Sequence, residues 1–222
     1  MHYLQGVCME SQIAKIGAVL NESKLLKDLE RYKEKVFELG AANAIILKTE
    51  EIPVDERVTL KCQIPRCRGY GTSAHCPPNT MKPDEFRQHL NKYHWAIFFI
   101  RNLPTELLLK GPADKDCKAA ILSVYNIGKS IESMAFYDGH YLAFGLGAGS
   151  CRRTFCGQHK SCAALEGKSC RSALLARPSM EAVGINVYKM TAAVGWDIYP
   201  IGKHANAEET PNGLLAGLVV VE

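Results

Sequence analysis

Leu25, Leu29, Tyr32 and Val36 recur at helical spacing through a charged stretch that opens at Asn21-Glu22-Ser23 and stops at Gly40. This pattern predicts an amphipathic helix over residues 22–39, with cap chemistry at its start and a glycine at its end. The period then shortens. Ala44-Ile45-Ile46-Leu47 is a short apolar run suited to a buried strand, and Arg57-Val58-Thr59-Leu60-Lys61 alternates polar and apolar as a half-exposed strand does. Asp84–Tyr93 reads as a helix, and Trp95-Ala96-Ile97-Phe98-Phe99-Ile100 as another buried strand. Residues 114–136 predict a long helix with Cys117, Ile121, Val124, Ile131 and Ala135 along one face. Tyr141-Leu142-Ala143-Phe144 reads as a short strand. Two short helices follow, one opened by Ser179 and one over residues 186–194, closed by Gly195, with Val187, Met190 and Val194 on its buried side. Leu214–Val221 closes the pattern as an inner strand, while Ile13–Leu20 is weakly patterned and suits a short strand or a frayed helix.

This alternation predicts one domain over residues 1–222, with residues 1–21 as a peripheral segment. The class is α/β or α+β, built on a central mixed sheet of four to six strands with flanking helices. No internal repeat and no Pro/Ser linker divides the chain. Strand order is not encoded in the pattern.

Two stretches follow neither period. Residues 62–83 carry Pro65, Gly69, Gly71, Pro77, Pro78 and Pro83, a loop of about twenty residues that a compact domain tolerates only when something organises it. The second runs from Ser150 to Pro178. Cysteines concentrate in both, as Cys62-x4-Cys67 with Cys76-Pro77-Pro78, and as Cys151-x4-Cys156-x5-Cys162-x7-Cys170. The expectation is that these two loops lie together at one end of the sheet.

The chain has 222 residues and nine cysteines, an odd number too sparse for a small disulfide scaffold, and the chain is long enough to bury a core without staples. No basic-then-apolar secretory signal opens the sequence, and its longest apolar run, Leu214–Val221, is too short to span a bilayer. A cytoplasmic protein with no membrane partner is the expectation, and a reducing compartment disfavours disulfides. The cysteines therefore point to metal. Thiolates must converge on a metal at about 2.3 Å, and irregular loops can aim several of them inward at once. Cys62, Cys67, Cys76, Cys151, Cys156, Cys162 and Cys170 are the candidate ligands. Cys117 sits on a helical apolar stripe and reads as a packed thiol, and Cys8 as a bystander.

Ligand arithmetic leaves the metal open. Four cysteines in the second loop fit one iron–sulfur cubane, and three in the first leave one iron without cysteine. One or two cubanes, or one larger cluster shared by the loops, satisfy the count. An eighth ligand would come from His75, His159, Cys8 or a bound molecule. Zinc is the alternative, with His75 or His159 completing closed four-ligand sites. Gly145-x-Gly147-x-Gly149 follows a strand but lacks the third-glycine spacing of a dinucleotide loop. Gly147 and Gly149 read instead as cofactor-binding positions, where bare backbone can approach a cluster.

Net charge is +4, too small an excess to argue for nucleic acid, and no aromatic-interleaved basic array is present. Basic residues do crowd the cysteines: Arg66, Arg68, Arg152, Arg153, Lys160, Lys168, Arg171 and Arg177. They would offset a negative cluster and steer an acidic redox protein partner. A homo-oligomer stays open.

The cysteine blocks carry a resemblance. Leu60-Lys61-Cys62-x4-Cys67-x2-Tyr70-Gly71-x4-Cys76-Pro77-Pro78 is followed by Gly147-Ala148-Gly149-Ser150-Cys151, by Cys156, Cys162 and Cys170, and by Arg177-Pro178-Ser179-Met180-Glu181-Ala182-x-Gly184-Ile185. Over about residues 35–200 the chain resembles a predicted metal-binding family, the domain of unknown function 2284. The resemblance implies metal binding of iron–sulfur type and brings no settled activity. The Arg177–Ala182 block reads as a turn and helix start, capped by Ser179 and with Glu181 suited to the positive dipole end, a scaffold beneath the second loop.

The leading expectation is thus an iron–sulfur protein that carries or stores electrons without substrate chemistry. The alternatives are an enzyme or enzyme component with an open iron at the first loop, and a zinc-stabilised interaction module. No hydrolase elbow, P-loop, radical-initiating cysteine triplet or kinase signature is present.

Overall fold

The computed structural model describes residues 13, 22–202 and 204–222. The reading of Ile13–Leu20, the cap at Asn21 and the assignment of Cys8 lie outside the described residues, apart from Ile13 itself, which is exposed in irregular backbone. Four strands form one sheet: β1 (Asn43–Lys48), β2 (Trp95–Leu103), β3 (Phe144–Leu146) and β4 (Gly213–Val221). Their order is β1-β2-β4-β3, antiparallel at every step. The sheet is therefore antiparallel rather than mixed. Helices are excursions between oppositely running strands, not the crossovers that parallel neighbours require.

Alternation along the two central strands explains the layering, because successive side chains point to opposite faces. Ile97 and Phe99 of β2, with Val219 and Val221 of β4, bury one face against Leu29, Tyr32 and Val36 of α1 (Glu22–Glu38) and Val124, Ile127 and Ile131 of α5 (Lys115–Tyr137). The opposite face places Phe98, Ile100, Leu218 and Val220 against Phe86 and Leu90 of α3 (Pro83–Leu90) and Val187 and Met190 of α7 (Val187–Ala193). Trp196 stacks on Phe98 at 5.2 Å between ring centroids. Each large side chain buried this way stabilises the fold by about 1.5–3 kcal/mol.

Two predicted strands are corrected. Arg57–Lys61 lies inside a helix, α2 (Glu56–Gln63), which no buried residue anchors. The Asp55 carboxylate accepts the Arg57 N–H at 2.9 Å and caps this helix. Local capping therefore decides the conformation, and the alternation marks no sheet face. Tyr141 and Leu142 are exposed, and the strand runs over Phe144–Leu146 instead. Gly145 permits this shift, since a Cβ there would stand 2.9 Å from the Glu132 Oε2 of α5, the same atom that accepts the Gly145 N–H at 3.0 Å.

The chain is completed by α4 (Thr105–Lys110), by α6 (Cys151–Phe155) and by single turns of 3-10 helix at Thr49–Glu51, Ala163–Glu166 and Glu181–Val183. Among the described residues, no helix is long and apolar enough to cross a membrane.

Candidate metal centre

Backbone bonds fold the first cysteine loop upon itself. The Cys67 N–H donates to the Cys62 carbonyl at 2.9 Å, the Gly71 N–H to Pro77 at 2.7 Å, and the Asn79 N–H to Cys76 at 3.0 Å. Cys62 comes from the last turn of α2, whereas Cys67 and Cys76 come from the irregular part. The second loop hangs from the end of β3. There the Gly147 N–H donates to the Pro178 carbonyl at 3.0 Å and the Met180 N–H to Gly147 at 3.2 Å, so both ends of that loop are stapled together. Arg177 adds a two-pronged ion pair to Glu132 of α5, at 2.5 and 3.1 Å.

The two loops meet. The Cys76 thiol lies 3.5 Å from the Ser150 hydroxyl, the Cys151 thiol donates to the Ser73 hydroxyl at 3.7 Å, and Cys151 lies 3.6 Å from His75 Nδ1. Gly69 permits the approach, because a Cβ there would stand 3.4 Å from both the Cys76 sulfur and Ser150. A cavity of about 320 Å³ opens on one side of this seam, lined by Cys62, Cys67, Cys76, Gly149, Arg153 and Glu181. A second cavity of about 510 Å³ is lined by His75, Cys170 and Arg177. Cys162 caps the 163–166 turn, and the backbone N–H of Ala74 in the first loop reaches its thiol. Cys156, at the end of α6, is not among the thiols these contacts join, and His159 uses its backbone rather than its ring, accepting from Arg152.

Electrostatics shows how closely the thiols share space. Burial pushes the Cys62 thiol up to about 11, with further upward push from negative charge at Cys67, Cys76 and Glu181. Cys151 is pushed up to about 12 by burial, against the Ser73 bond, with Cys76, Cys162 and Cys170 adding to the rise. Cys162 goes the other way: burial raises it, but the backbone N–H groups of Ala74, Leu165 and Ala164 outweigh that and hold it low. Burial and the Arg177 charge lower His75, favouring its neutral, ligand-competent form. Glu181 is exposed to solvent at the smaller cavity; desolvation raises its carboxyl, against bonds from its own backbone N–H and the Ser179 hydroxyl.

The eight described cysteines are all free thiols. Cys117 is 1% exposed in an apolar cluster with Ile121, Tyr125 and Cys151. Gly147 and Gly149 take different parts. Gly149 lines the smaller cavity at φ +66°, which favours glycine. Gly147 makes room for a ring, since a Cβ there would stand 2.5 Å from Tyr125 Cε1. Its N–H is already committed to Pro178.

Tyr125 and Glu181 are the residues that the cysteine spacing did not mark as part of the site. The Tyr125 ring packs edge-on against Phe155 at 4.9 Å, and its hydroxyl is buried without a hydrogen-bond partner. Burial pushes that phenol up, and Cys151, Cys76 and Glu181 follow as the charges that act on it. It stays a protonated donor. Among the described residues, no three His, Cys, Asp or Glu side chains stand close enough to grip a single ion. The cavity shared by the three thiols of the first loop, about 320 Å³, is roughly ten times a water molecule's share of liquid volume. Soft thiol donors around a cavity of that volume fit a thiolate-held group larger than one ion.

No curated protein and no solved structure matches the chain. A family model, Predicted metal-binding protein (DUF2284), matches residues 45–215, a span that includes all seven cysteines of both loops. The chain therefore belongs to this family of predicted metal-binding proteins.

Proposed function

We propose that the chain binds an iron–sulfur centre through the thiols of its two loops and carries or stores electrons with it. The observation that carries this reading is the placement of Cys62, Cys67 and Cys76 around one cavity at the seam where the two loops meet. A cluster's sulfurs accept hydrogen bonds, and such bonds tune its potential. Bound there, the group would supply one-electron redox chemistry. The protein's part is to hold it by thiolates, to supply the buried Tyr125 hydroxyl as a donor and to offset its negative charge. Cys151, Cys162 and Cys170, which share one electrostatic environment, supply the thiols of the second loop, with Cys156 contributed by its spacing. Arg66, Arg68, Lys160 and Arg171 are exposed on the loops and would steer an acidic redox protein. A reducing, cytoplasmic setting suits a chain whose described cysteines are all free.

Anaerobic purification followed by iron, sulfide and zinc analysis tests this. The expected result is a coloured protein whose visible absorbance bleaches with dithionite. Serine replacement of Cys62, Cys67, Cys76, Cys151, Cys156, Cys162 or Cys170 should each lower bound iron. A colourless protein carrying stoichiometric zinc would refute the proposal, as would seven variants that keep full iron and spectrum.

A further inference from the structure

The first loop's cavity contains one carboxylate beside its three thiols. Glu181 lines it with Cys62, Cys67 and Cys76, although it lies more than a hundred residues further along the chain. It stands on a turn fixed from every side. Met180 and Val183 are fully buried, Ala182 is 5% exposed, and the Ala182 N–H donates to the Ser179 hydroxyl at 3.3 Å. The Gly184 N–H closes the turn on the Glu181 carbonyl at 3.1 Å. Of residues 179–185, Glu181 alone is exposed, so a rigid element presents a single polar side chain to the thiols.

No Lys, Arg or His forms an ion pair with Glu181 among the described residues. The Ser179 hydroxyl and the residue's own backbone N–H bond this carboxyl, and a carboxylate's four lone-pair sites leave room for a cation or metal beside them. His75, the neighbour of Cys76, does not compete for this position. It faces Cys151 and lines the other cavity. Three thiols leave one iron of a cubane without cysteine, and a carboxylate oxygen is a competent ligand for iron. Building on the iron–sulfur reading above, we propose that Glu181 completes the first loop's metal centre, giving a donor set of Cys62, Cys67, Cys76 and Glu181. The iron held by oxygen is then the cluster's most exchangeable corner.

The test uses the full chain reconstituted anaerobically with iron and sulfide, as wild type and as Glu181→Ala, Glu181→Gln, Glu181→Cys and Cys62→Ser. Iron per chain and the EPR spectrum are read, with circular dichroism of the metal-free proteins confirming the fold; the near-isosteric Glu181→Gln preserves the turn. Glu181→Ala and Glu181→Gln should each lose about one iron per chain and show a three-iron cluster on mild oxidation, and Glu181→Cys should restore the iron. Wild-type iron and EPR in the Ala and Gln variants, with loss in Cys62→Ser, would overturn the Glu181 ligand and leave the iron–sulfur reading standing. Full iron in Cys62→Ser, or no iron in the wild type, would overturn both.

Discussion

Replacing Tyr125 by phenylalanine removes one oxygen and leaves the ring, with its edge-on contact to Phe155, in place. That oxygen is buried without a hydrogen-bond partner. An unsatisfied buried hydroxyl costs about 1–3 kcal/mol, so its removal should stabilise the metal-free chain by that amount. For a chain of this size, each kcal/mol moves the melting midpoint by about 2–4 °C, which sets the expected rise at about 2–12 °C. In the metal-loaded protein the sign should change. On the iron–sulfur reading proposed above, with the hydroxyl as a donor to the centre, losing it should lower stability and lower the reduction potential. Anaerobic thermal melts of both forms, paired with a redox titration of the loaded form, provide the measurement. Equal stabilisation in both forms would mean that the hydroxyl never sees the centre. A drop in the metal-free midpoint would mean that it already has a partner, and either result refutes the reasoning.

Cys117→Ala should leave metal content unchanged and cost about 1 kcal/mol, because a small buried group is trimmed from the inner face of α5; metal loss on reconstitution would show the thiol to be a ligand. Asp28 should govern part of the acid limb of stability. Burial raises its carboxyl, but bonds from Lys24, His140 and Arg31 outweigh that and hold it below its ordinary 3.8, with Tyr32 and Asp138 completing the group. A depressed carboxylate adds stability that is complete above 3.8 and disappears as pH falls through the lower folded value. Urea midpoints followed below pH 3.8 should therefore fall less steeply in Asp28→Asn than in the wild type, and parallel curves would sink the assignment.

The long periodic elements were legible because burial wrote them. Leu29, Tyr32 and Val36 mark the inner face of α1, as Ile121, Val124 and Ile131 do for α5. The alternation in β2 and β4 was hidden, since both faces are covered and both alternating sets are apolar. Short segments failed where a local signal competed with the pattern. At Arg57–Lys61 the deciding feature was the Asp55 cap, one carboxylate outside the run. At Tyr141–Phe144 it was apolar content without burial. The cysteines announced the candidate site by composition and spacing. Glu181 was legible as part of a capped turn, and Ser179 does cap it. The turn's position across the cavity from Cys62 depends on contacts between distant parts of the chain, which no local pattern records.

The place of β4 has a consequence for how the molecule is made. β2 pairs with β4 along all nine of its residues, from Trp95 with Val221 to Leu103 with Gly213. On a ribosome, every thiol of both loops emerges before residue 213, so the cysteine-bearing segments meet the cell while the sheet lacks an inner strand. Until that strand arrives, β2 presents an unpaired edge flanked by Ile97, Phe98, Phe99 and Ile100, a template for pairing with another nascent chain. A chain halted at Asn212 would keep every cysteine and leave that edge of β2 open to another chain.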